Sequence, residues 1–129
     1  MIEAITVKEN IQLFAVLKGV QSSQAGQFAN LYAKKFEISQ FLNTLAGALS
    51  GGNKRKLVTA LAMMGKPSII YLDESSAGVD PYARRVLWKT IRQESRDSAL
   101  IVTTHSLEEA EALGTKMAIM VDGEFQCFG

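Results

Sequence analysis

Apolar positions follow two rhythms along this chain. Up to about Gly65 they recur at helical spacing, and after Ser68 they come in short blocks. "TVKE" (Thr6 to Glu9) reads as a capping box, and Ile11, Phe14, Ala15 and Leu17 continue it as the apolar face of a helix stopping near Gly19. A second helix is predicted to start after Ser22 or Ser23, with Phe28, Leu31, Tyr32 and Phe36 on one face. A short third is predicted around Ser39 to Leu45. Lys54 to Met64 reads as a strong helix stopped by Gly65, with Pro67 just beyond.

The blocks that follow are strand-like. "SIIYL" (Ser68 to Leu72) and "ALIVTT" (Ala99 to Thr104) are β-branched apolar runs of the kind expected in buried strands, and "MAIMV" (Met117 to Val121) predicts a third. Between them, Asp80-Pro81 starts a helix as N-cap and N1 proline, with Val86, Leu87 and Ile91 inward. "SLEE" (Ser106 to Glu109) reads as a second capping box, whose helix ends at Gly114. Asp122-Gly123 predicts a tight turn into "EFQCF". The expected fold is therefore α/β: a helical part, then a βαβαβ parallel sheet and a terminal β-hairpin. Ligands of such sheets sit beyond the carboxyl ends of the strands, where Asp73, Glu74 and His105 fall.

Composition narrows the function. With 129 residues, 47% hydrophobic and 21% charged, the chain can bury a core. A net charge of +1 offers no basic field for nucleic acid, so no nucleic-acid partner is expected. The single Cys127 excludes an internal disulfide framework. The apolar run "LVTALAMMG" is about half the ~20 residues of a membrane span, and the early charges Glu3, Lys8 and Glu9 do not suit a signal peptide. The isolated chain is expected to be soluble.

Three stretches carry candidate chemistry. "IIYLDE" (Ile69 to Glu74) delivers two carboxylates to a strand end. In phosphate chemistry Asp73 can hold Mg²⁺ through water, and Glu74 can polarise an attacking water. The plainer reading is a solvated loop with a capping aspartate. His105 is the only histidine, and could either donate to a phosphate oxygen or the attacking water or serve structure alone. In "LSGGNKRK" (Leu49 to Lys56), Ser50, Gly51 and Gly52 sit where a helix begins, so backbone N–H groups can approach an anion. Lys54, Arg55 and Lys56 follow in the first turn, where a nearby anion would relieve their conflict with the helix dipole. For Lys54 and Lys56 simple solvation accounts for the pattern as well.

Taken in order, "LSGGN", "IIYLDE", "SAGVD" and His105 resemble the signature motif, Walker B motif, D-loop and switch-histidine loop of ATP-binding cassette (ABC) ATPases. "LSGGNKRKL", "GKPSIIYLDE", "GVDPYARRVLW", "HSLEEAEAL" and "MAIMVDGEFQCFG" resemble subfamily A, associated mostly with lipid movement. "ITVKENIQLFAVLKGV" resembles the start of that family's helical subdomain. The resemblance implies a partial P-loop NTPase domain over 1–129, with residues 1–65 as a helical subdomain carrying the signature and 66–129 as the C-terminal part of the RecA-like core. It implies ATP and Mg²⁺ as cofactors, with Asp73 for the metal and Glu74 and His105 catalytic. Ser50, Gly51 and Gly52 would cap the γ-phosphate of ATP held by a facing domain, and Asp80 would couple the two sites. The implied partners are a second nucleotide-binding domain, the transmembrane domains of a parent transporter and, through them, a lipid. The implied location is the cytoplasmic face of a membrane.

The sequence also departs from the family pattern. No G-x-x-x-x-G-K-[ST] occurs, and the glutamine loop is missing, so the chain is expected to be a fragment unable to hydrolyse ATP alone. Asn53 stands where Gln is frequent, and Ala77 where a hydroxyl residue is common. Ser75 replaces the usual proline, which should loosen the turn. The rival readings are a non-enzymatic module that pairs with intact ABC domains through "LSGGN", and a non-transport ABC ATPase. Compact helices without heptads before the signature speak against the DNA-repair form of the latter.

Overall fold

The computed structural model describes residues 1–129. Helix α1 (Val7–Leu17) begins at the expected capping box. The Glu9 amide donates to Thr6 Oγ1 at 3.2 Å, and the Thr6 amide donates to the Glu9 carboxylate at 2.8 Å. Bonds from the Thr6 backbone, and then from its hydroxyl, hold the Glu9 carboxyl below its ordinary value. Because the folded value is depressed, the cap's contribution is present above pH 4.5 and is lost as pH falls through the lowered value. The Thr6 amide resonance should therefore titrate in step with the Glu9 carboxyl, at a midpoint below 4.5. Glu9→Gln should abolish that titration while leaving an acceptor oxygen in place.

The buried stripe of α1 is Val7, Asn10, Ile11 and Ala15, with Phe14 half-buried. Leu17, expected on this face, lies one residue short of the next inward position and is 70% exposed. Asn10, fully buried, accepts from the Ile2 amide at 2.8 Å and donates to the Ile2 carbonyl at 2.8 Å, tying the N-terminal segment down. Helix α2 (Ala25–Lys35) turns Ala25, Ala29, Tyr32 and Ala33 inward. The alanines let it pack closely against α1, and Leu31 lies off the stripe, exposed.

The third helix expected at Ser39 to Leu45 is instead a 3₁₀ turn at Ser39–Phe41, followed by another at Ala46–Ala48. The carbonyls of Leu42 and Thr44 accept from the Lys8 and Val7 amides at 2.9 and 3.0 Å, satisfying the unpaired N–H groups of α1. Carbonyls turned toward α1 in this way are not aligned along a helix axis of their own.

Helix α3 (Gly51–Met63) leads through Gly65, with φ +77°, to strand β1 (Ile69–Asp73). Helix α4 (Pro81–Glu94) then crosses over to β2 (Ala99–Thr103), which pairs with β1 in parallel from Ile69↔Ala99 to Asp73↔Thr103. Ile70 and Leu72 join one continuous core with Ile11, Phe36, Leu57, Met64, Leu87 and Ile91. Lys35 on α2 pairs with Glu94 on α4 at 2.7 Å. The opposite face of the two strands is open: Ile69, Tyr71 and Ile101 are 51%, 70% and 48% exposed, where the sequence reading has buried strands. Helices cover only the Ile70 and Leu72 side.

Helix α5 (Leu107–Leu113) precedes β3 (Ala118–Val121) and β4 (Glu124–Phe128). The expected hairpin is present, and Asp122 and Gly123 both have positive φ, the combination a two-residue I′ turn needs. However, β3 pairs only with β4 and does not extend the β1–β2 sheet. A parallel strand is stabilised by cover on both faces, and every residue of β3 is exposed. No helix is long and apolar enough to cross a membrane.

Candidate functional site

The register that sets Asp73 beside Thr103 brings the following residues together at the carboxyl edge of the sheet. The Glu74 amide adds one more bond to the ladder, donating to the Thr103 carbonyl at 3.0 Å. Glu74 then turns sharply, with φ +50°, a conformation uncommon for a non-glycine residue and one retained where the surroundings enforce it. The turn aims its carboxylate across the strand ends, and His105 Nδ1 lies 2.8 Å from Glu74 Oε2. The imidazole is 82% exposed and the carboxylate 32%, so the pair opens to solvent. Asp73 Oδ1 accepts from the Thr103 hydroxyl, and the Asp73 carbonyl accepts from Arg55 at 3.4 Å.

A small pocket of about 120 Å³ lies between the loop from Glu74 to Gly78 and the loop from Thr104 to Ser106, lined also by Arg84 and Glu109. The chain has no cluster of three or more potential metal-ligating side chains. Mg²⁺ is usually held through one or two carboxylates, its own waters and a substrate oxygen, so the chemistry to be tested at this edge is that of a single carboxylate, Asp73. One Asp73 oxygen is oriented by Thr103, and the carboxylate is solvent-exposed, which fits such a water-mediated role.

Ser50 caps α3, its hydroxyl accepting from the Asn53 amide at 3.4 Å. The two glycines behind it differ. A Cβ on Gly51 would meet nothing within 4 Å, whereas one on Gly52 would lie 3.1 Å from the Gly78 carbonyl oxygen and 3.5 Å from Val79 Cα. Helix α3 therefore abuts the loop leading to Asp80, and Arg55 reaches the end of β1. No hydrogen bond joins Ser50 to Glu74. The basic run is not simply solvated: Lys54 pairs with Glu3 at 3.0 Å, and Lys56, its side chain only 8% exposed, pairs with Glu37 at 3.4 Å. Asp80 caps α4, accepting from the Ala83 amide at 3.1 Å.

Other site residues escape the sequence reading. Glu109, 1% exposed, accepts from Ser75 at 2.9 Å, from Trp88 Nε1 at 3.2 Å and from the Thr104 hydroxyl at 2.6 Å. The second capping box is thus only half formed. Ser106 Oγ accepts from the Glu109 amide at 3.4 Å, but the Ser106 amide donates to Thr104 Oγ1 and the Glu109 side chain points inward. Ser75 does not loosen its turn; its hydroxyl ties the turn to Glu109. The fourth position of S-L-E-E was the only available signal, and it points to a cap.

Comparisons with known proteins agree with the resemblance to ABC proteins. The family model described as "ABC transporter" matches residues 1–77. The mouse retinal-specific phospholipid-transporting ATPase ABCA4 is 47% identical over 128 residues, which is 98% of this chain and 6% of that protein. The human phospholipid-transporting ATPase ABCA3 is 42% identical over 130 residues, 100% of this chain and 8% of that protein. The chain thus spans less than a tenth of the length of these relatives. Among solved structures, an ATP-binding subunit of an ABC transporter superposes with a TM-score of 0.82 at 23% identity, covering all of this chain and 54% of that one. A dimeric, post-hydrolysis ATP-binding cassette bound to ADP and Pi gives 0.89 at 22% identity, covering all of this chain and 58% of that one. With the family model matching more than half of its residues, and the fold of an ABC ATP-binding subunit, the chain belongs to the ABC transporter family.

Proposed function

We propose that this chain forms the C-terminal part of an ABC nucleotide-binding domain that couples ATP hydrolysis to lipid movement across a membrane. In that reading residues 1–65 act as the helical subdomain and 66–129 as part of the catalytic core. The observation that carries it is the 2.8 Å contact between Glu74 and His105 at the strand edge. Glu74 Oε2 is held by the imidazole, leaving Oε1 to accept a proton from a water aimed at the γ-phosphate. A neutral His105 that donates from Nδ1 presents Nε2 as an acceptor; only the protonated ring donates from both nitrogens. Asp73 would hold Mg²⁺ through water, and when bound that ion neutralises charge on the phosphates.

Ser50, Gly51 and Gly52 would serve ATP on a second ABC domain, with Asp80 at the junction. The open face of Ile69, Tyr71 and Ile101, together with the exposed Phe125 and Phe128 of the hairpin, supports cover by further protein. Transmembrane domains and a lipid complete the proposed partners, with the domain at the cytoplasmic face. The relatives named as phospholipid-transporting ATPases support the lipid.

The test is a fusion that places a Walker A-bearing N-terminal half before Met1. The fusion should bind and hydrolyse ATP. The 129-residue chain alone should show neither turnover nor micromolar ATP binding by calorimetry, because it holds no phosphate-cradling loop. Micromolar binding or turnover by the chain alone would overturn its dependence on a separate phosphate-cradling loop, and a fusion that binds ATP but keeps full turnover with Glu74→Gln would overturn the role given to Glu74.

A further inference from the structure

We propose that Glu109 is a positioning residue, locking the loop that carries His105 onto the loop that carries Glu74. The inference rests on the reading of those two residues as the hydrolytic pair. The carboxylate is buried, and none of the chain's ion pairs includes it. A buried carboxylate is costly unless donors surround it, and bonds to a charged acceptor are stronger than neutral ones. Its three donors are spread across the site. Ser75 directly follows Glu74, Thr104 directly precedes His105, and Trp88 lies on α4, the crossover between the two strands. Thr104 passes the constraint on, because its oxygen also accepts from the Ser106 amide at 3.0 Å, so both neighbours of His105 are fixed.

The 2.8 Å contact between His105 and Glu74 lies between chain neighbours of these anchored residues. The imidazole is almost fully exposed, so packing does not hold it in place. The bonds to Glu109 fix the backbone on both sides of the pair, and the histidine loop is the side with least other support.

The readout is the ring itself. His105 is the only histidine and Trp88 the only tryptophan, so each side chain gives a single set of nitrogen signals. Long-range ¹H–¹⁵N spectra of the full 129-residue chain, about two pH units above the ordinary histidine range, report which ring nitrogen carries the proton. The wild-type ring should favour Nδ1–H, with a hydrogen-bonded Trp88 indole.

Thr104→Val, which keeps shape but cuts the link to the histidine loop, should lose the Nδ1–H preference and speed exchange of the Ser106 amide. Glu109→Leu should do the same. Glu109→Gln should retain the preference, because its oxygen still accepts from Ser75 and Trp88 and its amide can donate to Thr104. Trp88→Phe should also retain it, since only the α4 anchor is removed. An unchanged preference in Thr104→Val overturns the proposal, even where Glu109→Leu does not fold. So does the absence of any preference in the wild type, or an equal loss in Glu109→Gln and Glu109→Leu. None of these measurements needs nucleotide, so ATP turnover by the fusion judges the function separately.

Discussion

Glu74→Gln in the Walker A-bearing fusion will stop ATP hydrolysis and leave ATP-driven pairing of two domains intact. The substitution keeps size, shape and an oxygen that can accept from His105 Nδ1, so the 2.8 Å arrangement can persist. The backbone demand at φ +50° is the same for both residues. What disappears is the carboxylate able to take a proton from water. Positioned general bases contribute about 10²- to 10⁴-fold, so phosphate release should fall by at least a hundredfold. The split between activities is the diagnostic. Phosphate release and dimer mass by light scattering, measured on the same sample, should move independently. Retention of near-normal turnover would remove Glu74 from the chemistry. Loss of turnover and pairing together would make it a structural residue of a strained turn.

That Asp73, Glu74 and His105 share one strand edge is legible because it follows from local rules; the direct contact of Glu74 with His105 is not. Two apolar runs joined by a helix imply adjacent parallel strands, and the residues after each run then share an edge. The caps at Thr6 and Asp80 are legible for the same reason, since a cap involves only its own first turn, whereas the helix read from Lys54 starts three residues earlier, at Gly51, with Ser50 as its cap. Tertiary bonding decides where the structure departs from the sequence pattern. The segment from Ser39 to Leu45 has helical texture, but its carbonyls are committed to α1. Leu17 and Leu31 carry the right chemistry, yet sit one step off stripes whose phase is set by how α1 and α2 meet. The "SIIYL" and "ALIVTT" runs fit strands covered on both faces, and they have cover on only one.

Glu109 shows the limit most clearly. S-L-E-E satisfies the capping-box pattern, but Ser75, Thr104 and Trp88 offer its carboxylate three donors in the interior, and the Ser106 amide takes Thr104 instead. Lys56 is similar. A lysine in a basic run reads as solvated, yet it is buried against Glu37, a partner 19 residues away in sequence. In both cases the pattern was genuine, and a long-range partner outbid the local one.

Ser50→Arg separates the two roles open to the signature serine. As an N-cap, Ser50 satisfies the Asn53 amide, and losing a cap costs about 1 kcal/mol of helix stability. An arginine there has solvent to occupy, since position 50 is exposed and a Cβ on the neighbouring Gly51 would meet nothing within 4 Å. Within its own chain the substitution should therefore be mild, unlike Gly52→Ala, whose Cβ would press on the Gly78 carbonyl at 3.1 Å. If the helix start instead receives a γ-phosphate from a facing domain, the arginine fills the space through which that phosphate approaches. Loss of oxyanion-type donors alone is worth about 3 kcal/mol, or roughly a hundredfold, and the bulk adds to it. In fusions that also carry Glu74→Gln, so that ATP is bound but not consumed, Ser50→Arg should melt within a few degrees of its parent yet fail to dimerise on adding ATP. Equal dimerisation with and without Ser50→Arg would reduce Ser50 to a helix cap, because no phosphate could then be passing through the space the arginine occupies.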